Sequence, residues 1–189
     1  LAVPLVASIS TTMAARNGLL IKQRLALEAA RNVGVVLFDK TGTLTKGEFG
    51  VDALVASEGF SEPDVLKLAA SVNSQSEHPL AKAMVNEANT RGIALGEIKY
   101  FERIAGKGAK ATINGQETLV GSDLLFLDLG IQVSKEYQNR IDKLKEQGKT
   151  TVHVIENKKL VGSIALADII RPESGEAIKS LKALGIKIA

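Results

Sequence analysis

The sequence predicts an α/β fold carrying an inserted α+β block built on an antiparallel sheet. Three observations predict it. Residues 34–39, Gly-Val-Val-Leu-Phe-Asp, form a short apolar run rich in β-branched residues, the pattern of a strand buried on both faces. Residues from about 48 to 163 alternate helix, strand and turn signals in the order of an α+β domain. After about residue 173 a helix and the start of a further strand appear. A lone parallel-type strand cannot fold by itself, so its partners are expected after Asp168. The middle block then becomes an insertion between two pieces of one domain. The expected boundaries are 1–32 for an apolar segment with a linker helix, 33–47 with 164–189 for the α/β domain, and 48–163 for the insertion.

The elements follow in order. Residues 1–15 carry no charge, and Arg16, Lys22 and Arg24 come directly after them. The segment is too short to span a bilayer. It reads either as a buried helix with a proline in its first turn or as the cytosolic end of a spanning helix. Residues 19–32 place Leu20, Leu25, Leu27 and Ala30 at helical spacing. After the 34–39 strand, Thr41-Gly42-Thr43 is a turn and 48–57 is the next extended segment. Ser61 caps a helix with Pro63 in its first turn, ending near 73–76. A second helix runs from Pro79 to a Gly92 cap. Residues 99–106, 108–115 and 116–121 are strands, and Asn114-Gly115 is the strongest hairpin signal in the chain. A short helix at 122–129 precedes a longer one from Ser134 to Gln147, capped by Gly148. Two alternating strands over 150–168 turn at Asn157-Lys158. A last helix carries Leu181 and Leu184 toward a Gly185 cap and the beginning of a strand, where the chain stops as though truncated.

Composition excludes several functions. Cysteine is absent, which removes disulfides, thiolate metal sites and cysteine nucleophiles. His78 and His153 are the only imidazoles, so no His-rich metal site can form. The net charge of +3 comes from scattered bases lying close to acids, and aromatics make only 4% of the chain. A nucleic-acid stacking surface is therefore not expected.

Asp39-Lys40-Thr41-Gly42-Thr43 leaves the end of the buried run, where open α/β sheets bind ligands. Lys40 can neutralise phosphate, the threonines can donate hydroxyls, and Gly42 lets backbone N–H groups approach an anion. Asp39 can ligate Mg²⁺ or attack phosphorus. A plain turn with surface hydroxyls satisfies the same residues. Elsewhere Glu77 and His78 precede Pro79, where they could simply cap a helix, and Gly106-Lys107-Gly108 could simply be a hairpin turn.

Residues 39–45, Asp-Lys-Thr-Gly-Thr-Leu-Thr, resemble the phosphorylation motif of the P-type ATPases. Residues 76–81 (SEHPLA), 106–108 (GKG) and 167–173 (ADIIRPE) are similar to signatures of their heavy-metal-transporting branch. Residues 1–22 resemble the stretch after the metal-binding membrane helix of the copper/silver exporters similar to CopB. The resemblance implies a haloacid-dehalogenase-like, Rossmann-type phosphorylation domain, incomplete here, with an inserted nucleotide-binding domain. It implies ATP and Mg²⁺ as cofactors, with Asp39 as the phosphorylated nucleophile, Lys40 and Thr41 around the transferring group, and Mg²⁺ held by Asp39 and the Thr41 carbonyl. Related phosphatases often carry an acid where Thr41 stands, and a hydroxyl there cannot drive hydrolysis of the phosphoenzyme.

The nucleotide falls to Glu77, His78, Gly106, Gly108 and Gly121, with Lys107 near its phosphates. His153 is expected to be structural, and Asp168 and Arg171 to support the return crossover. The implied parent sits in the cell membrane with cytoplasmic catalytic domains, this piece being soluble. Its partners are a monovalent copper or silver ion and the actuator and membrane domains of the same protein. The later Thr-Gly-Asp, lysine and Gly-Asp-Gly-x-Asn-Asp elements of the family are not in these 189 residues, so the chain alone is expected to turn over little ATP. A stand-alone phosphatase and a non-catalytic nucleotide-binding module are the alternatives.

Overall fold

The computed structural model describes residues 2–189, and the side chains of all of these except residues 2–5, 7, 24 and 27. Leu1 and the Leu27 side chain, part of the expected apolar segments, lie outside the described residues. Two units are present, one formed by the chain up to Lys40 with Arg171–Ala189, the other by Thr41–Ile170.

The first unit contains helices α1 (Ala2–Arg16) and α2 (Arg24–Ala29), strand β1 (Val35–Val36), helix α7 (Pro172–Ala183) and strand β8 (Lys187–Ile188). β1 and β8 are parallel, with Val35 opposite Lys187. Lys187 N–H donates to the Gly34 carbonyl (2.9 Å) and Phe38 N–H to that of Ala189 (3.0 Å). The strand expected after Asp168 to partner the 34–39 run is thus β8. Its surroundings differ from the expectation of burial on both faces. Only two residues pair, against a single neighbouring strand, and Leu37 stays 78% exposed. α1 forms as expected, but Val6, Ile9 and Met13 are exposed and not buried. The helix foreseen over 19–32 contracts to α2 and one 3-10 turn, Ala30–Asn32, leaving Leu20 and Leu25 in solvent. Among the described residues no helix is long and apolar enough to cross a membrane.

The second unit is a sheet with helices on both faces. Its strands are β2 (Thr45–Ala56), β3 (Ile98–Ile104), β4 (Gly108–Ile113), β5 (Gln116–Gly121), β6 (Thr150–Glu156) and β7 (Lys159–Ile170). They lie in the order β2-β7-β6-β5-β4-β3, each pair antiparallel. The tight turns set the register. Asn114 and Gly115 join β4 to β5 with φ of 51° and 79°, and Asn157 and Lys158 join β6 to β7 with 48° and 62°. Positive φ at both central residues is what the right-handed strand twist demands of a two-residue loop.

Alternation then divides the side chains between two cores. Helices α3 (Glu62–Asn73) and α4 (Pro79–Thr90) bury Val65, Leu66, Val72 and Met84 against Val120, Val154, Val161 and Ile164. Helices α5 (Asp123–Asp128) and α6 (Lys135–Glu146) bury Phe126, Tyr137 and Ile141 against Leu119, Ile155 and Leu160 on the other face. Adjacent residues 119–120, 154–155 and 160–161 point to opposite cores, as a period of two requires. Each fully buried side chain of this size is worth about 1.5–3 kcal/mol over exposure. Ser61 starts α3 through a capping box. Its hydroxyl accepts from Asp64 N–H, and its own N–H donates to the Asp64 carboxylate (3.0 Å). β2 begins at Thr45, ahead of the expected 48, and β7 runs on to Ile170, because Thr45 pairs with Ile170 beyond a register shift that precedes Phe49 and Asp168.

Candidate functional site

The Asp39 segment follows β1. Asp39 and Lys40 are exposed, as are Thr41 and Thr43. Thr41 (φ −78°, ψ 124°) and Gly42 (φ 77°, ψ −11°) carry the dihedrals of a type II turn, whose third position needs a residue at ease with positive φ. Glycine at 42 is therefore a conformational requirement. The turn is anchored from the sheet. The buried Thr45 hydroxyl donates to Asp168 Oδ2 (2.6 Å) and accepts from Gly42 N–H (3.2 Å). The Gly42 amide, expected to face a transferring group, donates to Thr45 here. Asp168 Oδ1 is buried without a hydrogen-bond partner. Asp168, expected to support the crossover, thus reaches the 39–45 segment through Thr45. Among the described residues no cluster of three or more His, Cys, Asp or Glu side chains could hold a metal.

A cavity of about 330 Å³ opens in the Thr41–Ile170 unit between the start of α4 and strands β3 to β6. His78, Gly106, Gly108 and Gly121 all line it, although 43 residues separate the first from the last. Ser76, from the 76–81 signature, and Ser122, next to Gly121, also line it; Asn73, Arg103 and Thr151 join them and had no signal in the sequence, because only the folded register brings them there. Leu80, Ala81, Met84, Val120 and Val152 supply apolar wall. The volume and the mixture suit a small molecule with one flat apolar part and one anionic part.

The glycines act differently. Gly106 has φ 69° and faces open space, so its role is conformational. Gly108 and Gly121 are cross-strand partners. A Cβ on Gly108 would stand 2.2 Å from the Val120 carbonyl oxygen, and one on Gly121 2.5 Å from that of Lys107. These two permit close backbone packing of β4 on β5. Ser122 N–H then donates to the Lys107 carbonyl (2.8 Å), tying the Gly106–Gly108 loop to the segment entering α5.

His78 is the N-cap of α4, and its Nδ1 accepts from Leu80 N–H (3.2 Å). An accepting Nδ1 carries no proton, so Nε2 bears the hydrogen and remains available as a donor. Glu77 does not line the cavity. It is exposed and paired with Lys82 (2.5 Å), whose hydrogen bond and charge hold the Glu77 carboxyl below its ordinary range. Lys107 is ion-paired with Asp128. The Ser122 hydroxyl oxygen is buried beside the cavity without a partner.

The haloacid dehalogenase-like hydrolase family matches residues 33–189. The copper-exporting P-type ATPase B of Archaeoglobus fulgidus is 49% identical over 189 residues, covering 99% of this chain and 26% of that protein. The crystal structure of a phosphorylated-state zinc-transporting PIB-type ATPase superposes with a TM-score of 0.85 at 37% identity, over 97% of this chain and 30% of that one. The catalytic domain of the CPx-ATPase CopB-B, described for conformational changes upon nucleotide binding, gives a TM-score of 0.59 at 27% identity, over 89% and 57%. The chain spans about a quarter of the length of the curated relatives it matches.

Proposed function

The chain belongs to the haloacid dehalogenase-like hydrolases, and on that premise we propose that it is the ATP-binding and phosphorylation-site region of a heavy-metal-exporting P-type ATPase, with copper or silver as the exported ion. Supporting this is the convergence of His78, Gly106, Gly108 and Gly121, from three separate stretches of the sequence, on one cavity of adenosine-compatible size. The relatives, copper-exporting and zinc-transporting ATPases, point to metal transport and differ in the metal.

The adenine lies in the cavity, with the Nε2–H of His78 available to a base acceptor and the Gly106 loop letting backbone come close. Arg103 brings positive charge to the lining, and Lys107 serves the phosphates once its ion pair with Asp128 opens. Glu77, exposed beside Lys82, contacts the nucleotide only after that ion pair opens. In the reaction a carboxylate oxygen of Asp39 bonds to the γ-phosphorus as the bond to the β–γ bridging oxygen breaks, giving an acyl phosphate and ADP. Lys40 and the Thr41 hydroxyl neutralise and orient the transferring group. The Asp39 carboxylate and the Thr41 carbonyl are hard oxygen donors, few enough to suit an ion that keeps most of its water, and Mg²⁺ held there supplies charge neutralisation on the phosphate oxygens. Thr41 lacks the acid–base capacity to hasten hydrolysis, so the phosphoenzyme persists long enough to be coupled to transport. In the whole protein the metal crosses a membrane, and actuator and membrane domains are the partners. A stand-alone phosphatase is disfavoured by Thr41.

The test is ATP titration of the isotope-labelled 189-residue chain. Shifts confined to the amides of 76–81, 106–108 and 121–122, with a Kd of about 10⁻⁴ to 10⁻³ M, are expected, and His78→Ala should abolish most of the binding. Unchanged amides at those positions would sink the reading.

A further inference from the structure

Behind the cavity lies a buried polar chain that the proposed chemistry does not use. His153, on β6 and 3% exposed, places Nδ1 2.7 Å from the Ser163 hydroxyl and Nε2 2.8 Å from Asp123 Oδ1. Tyr137 O–H lies 2.7 Å from Ser163 Oγ, and Lys145 Nζ donates to Asp123 Oδ1 (2.7 Å). Phe126 stacks on the imidazole with ring centroids 4.5 Å apart. For a neutral imidazole the hydrogens have one arrangement. Nε2–H donates to the carboxylate, which leaves Nδ1 to accept from Ser163, whose oxygen accepts from Tyr137.

The order Ser163–His153–Asp123 is that of a nucleophilic triad, but the chemistry is not. Ser163 is 1% exposed, and its oxygen is already engaged by Tyr137 and His153. It lines no part of the cavity, so no carbonyl or phosphorus can reach it.

Asp123 is where the chain meets the cavity. It is the first residue of α5 and directly follows Gly121 and Ser122, both in the cavity wall. Gly121 is also the cross-strand partner of His153. From Ser122 the N–H bond to the Lys107 carbonyl carries the constraint into the Gly106–Gly108 loop. A carboxylate clamped by two donors at the start of α5 thus sets the position of two segments of the wall.

We propose that His153, Asp123 and Lys145 are positioning residues of the nucleotide cavity, holding the 121–122 wall and, through Ser122, the 106–108 loop in the geometry that accepts adenosine. The inference rests on the nucleotide reading above. Its test compares Asp123→Ala and Asp123→Asn in the full 189-residue chain by ATP titration, ligand-free amide shifts and urea denaturation. Loss of the clamped carboxylate in Asp123→Ala should weaken ATP binding about tenfold and move the free-chain amides of 106–108 and 121–122. Asn keeps an oxygen for both donors and should recover most of the affinity. Lys145→Met, at the surface, should give a smaller loss of about threefold. A merely structural clamp would lower the urea midpoint and leave the affinity of the folded chain unchanged, and that result overturns the proposal. So does an Asn variant no better than Ala. If the parent chain binds no ATP, the nucleotide reading itself fails, and the free-chain shifts at 106–108 still show whether Asp123 sets that loop.

Discussion

Replacing Gly108 by alanine separates packing from conformation in the Gly106-Lys107-Gly108 loop. The new Cβ would stand 2.2 Å from the Val120 oxygen and 2.6 Å from the Gly121 Cα, both backbone atoms. An unstrained contact needs about 3.5 Å, so β4 and β5 must part by 1 Å or more, counted roughly on that contact distance. That breaks the ladder around Gly108–Gly121 in the middle of the sheet. Overpacking of this kind costs about 1–3 kcal/mol, and the positive φ of 154° adds strain of about 1–3 kcal/mol for a residue with a side chain. The expected loss is about 3–5 kcal/mol, a large share of the roughly 5–15 kcal/mol that holds a domain together. Gly106→Ala meets nothing within 4 Å and has only its φ of 69° to sustain, about 1–2 kcal/mol. Urea denaturation followed by far-UV circular dichroism distinguishes them. With a slope of about 1–3 kcal/mol/M, Gly108→Ala should lower the midpoint by about 1 M or more, and Gly106→Ala by clearly less. Equal shifts would refute the assignment of separate roles.

Thr45→Val keeps the volume and removes the hydroxyl between Gly42 and Asp168. A lost hydrogen bond to a carboxylate predicts about 1.5–3 kcal/mol of destabilisation and a displaced Gly42 amide resonance; a stable variant with Gly42 unmoved would contradict the anchoring role. Burial holds the His153 imidazole below its ordinary range, against the raising effect of Asp123. For an ion pair the histidine would move up, so burial decides and the contact is a neutral imidazole donating to a carboxylate. The unfolded chain then takes up a proton at about pH 6.5, where the folded one does not. Stability from this group is complete above that pH and falls as pH drops toward the lower folded value. The urea midpoint should decrease on acidification from pH 7 to 5, and His153→Asn should flatten that dependence; an unchanged slope would discount the buried imidazole. Asp123 is raised by burial but lowered more by His153 and Lys145, so its contribution is full above the usual carboxylate range and is lost as pH falls through that range toward the lower folded value.

What sequence could announce depended on how local the cause was. Asn114-Gly115, Ser61 with Asp64, and the glycine at 148 each act within four residues, and their turns and caps are where they were expected. Family likeness supplied His78 and the three glycines before any cavity was visible. It also supplied Glu77, which the fold turns toward Lys82. The apolar run at 34–39 signals burial that is only partly met, because coverage depends on neighbouring strands and β8 is the one partner of β1 among the described residues. The His153 chain was illegible for a different reason. Its members, at 123, 137, 145, 153 and 163, are spread over α5, α6, β6 and β7, and nothing in any one segment marks them as partners. The same holds for Arg103 and Thr151, which reach the cavity by strand register.

The zipped pair β2 and β7 has a consequence for how such a protein can change. Thr45, near the entry to the Thr41–Ile170 unit, is the register partner of Ile170 at its exit. Paired antiparallel residues lie about 5 Å apart, so the unit begins and ends at nearly one point. A block with coincident ends can be lengthened, exchanged between relatives or expressed by itself, and the chain on either side need not be redrawn to receive it.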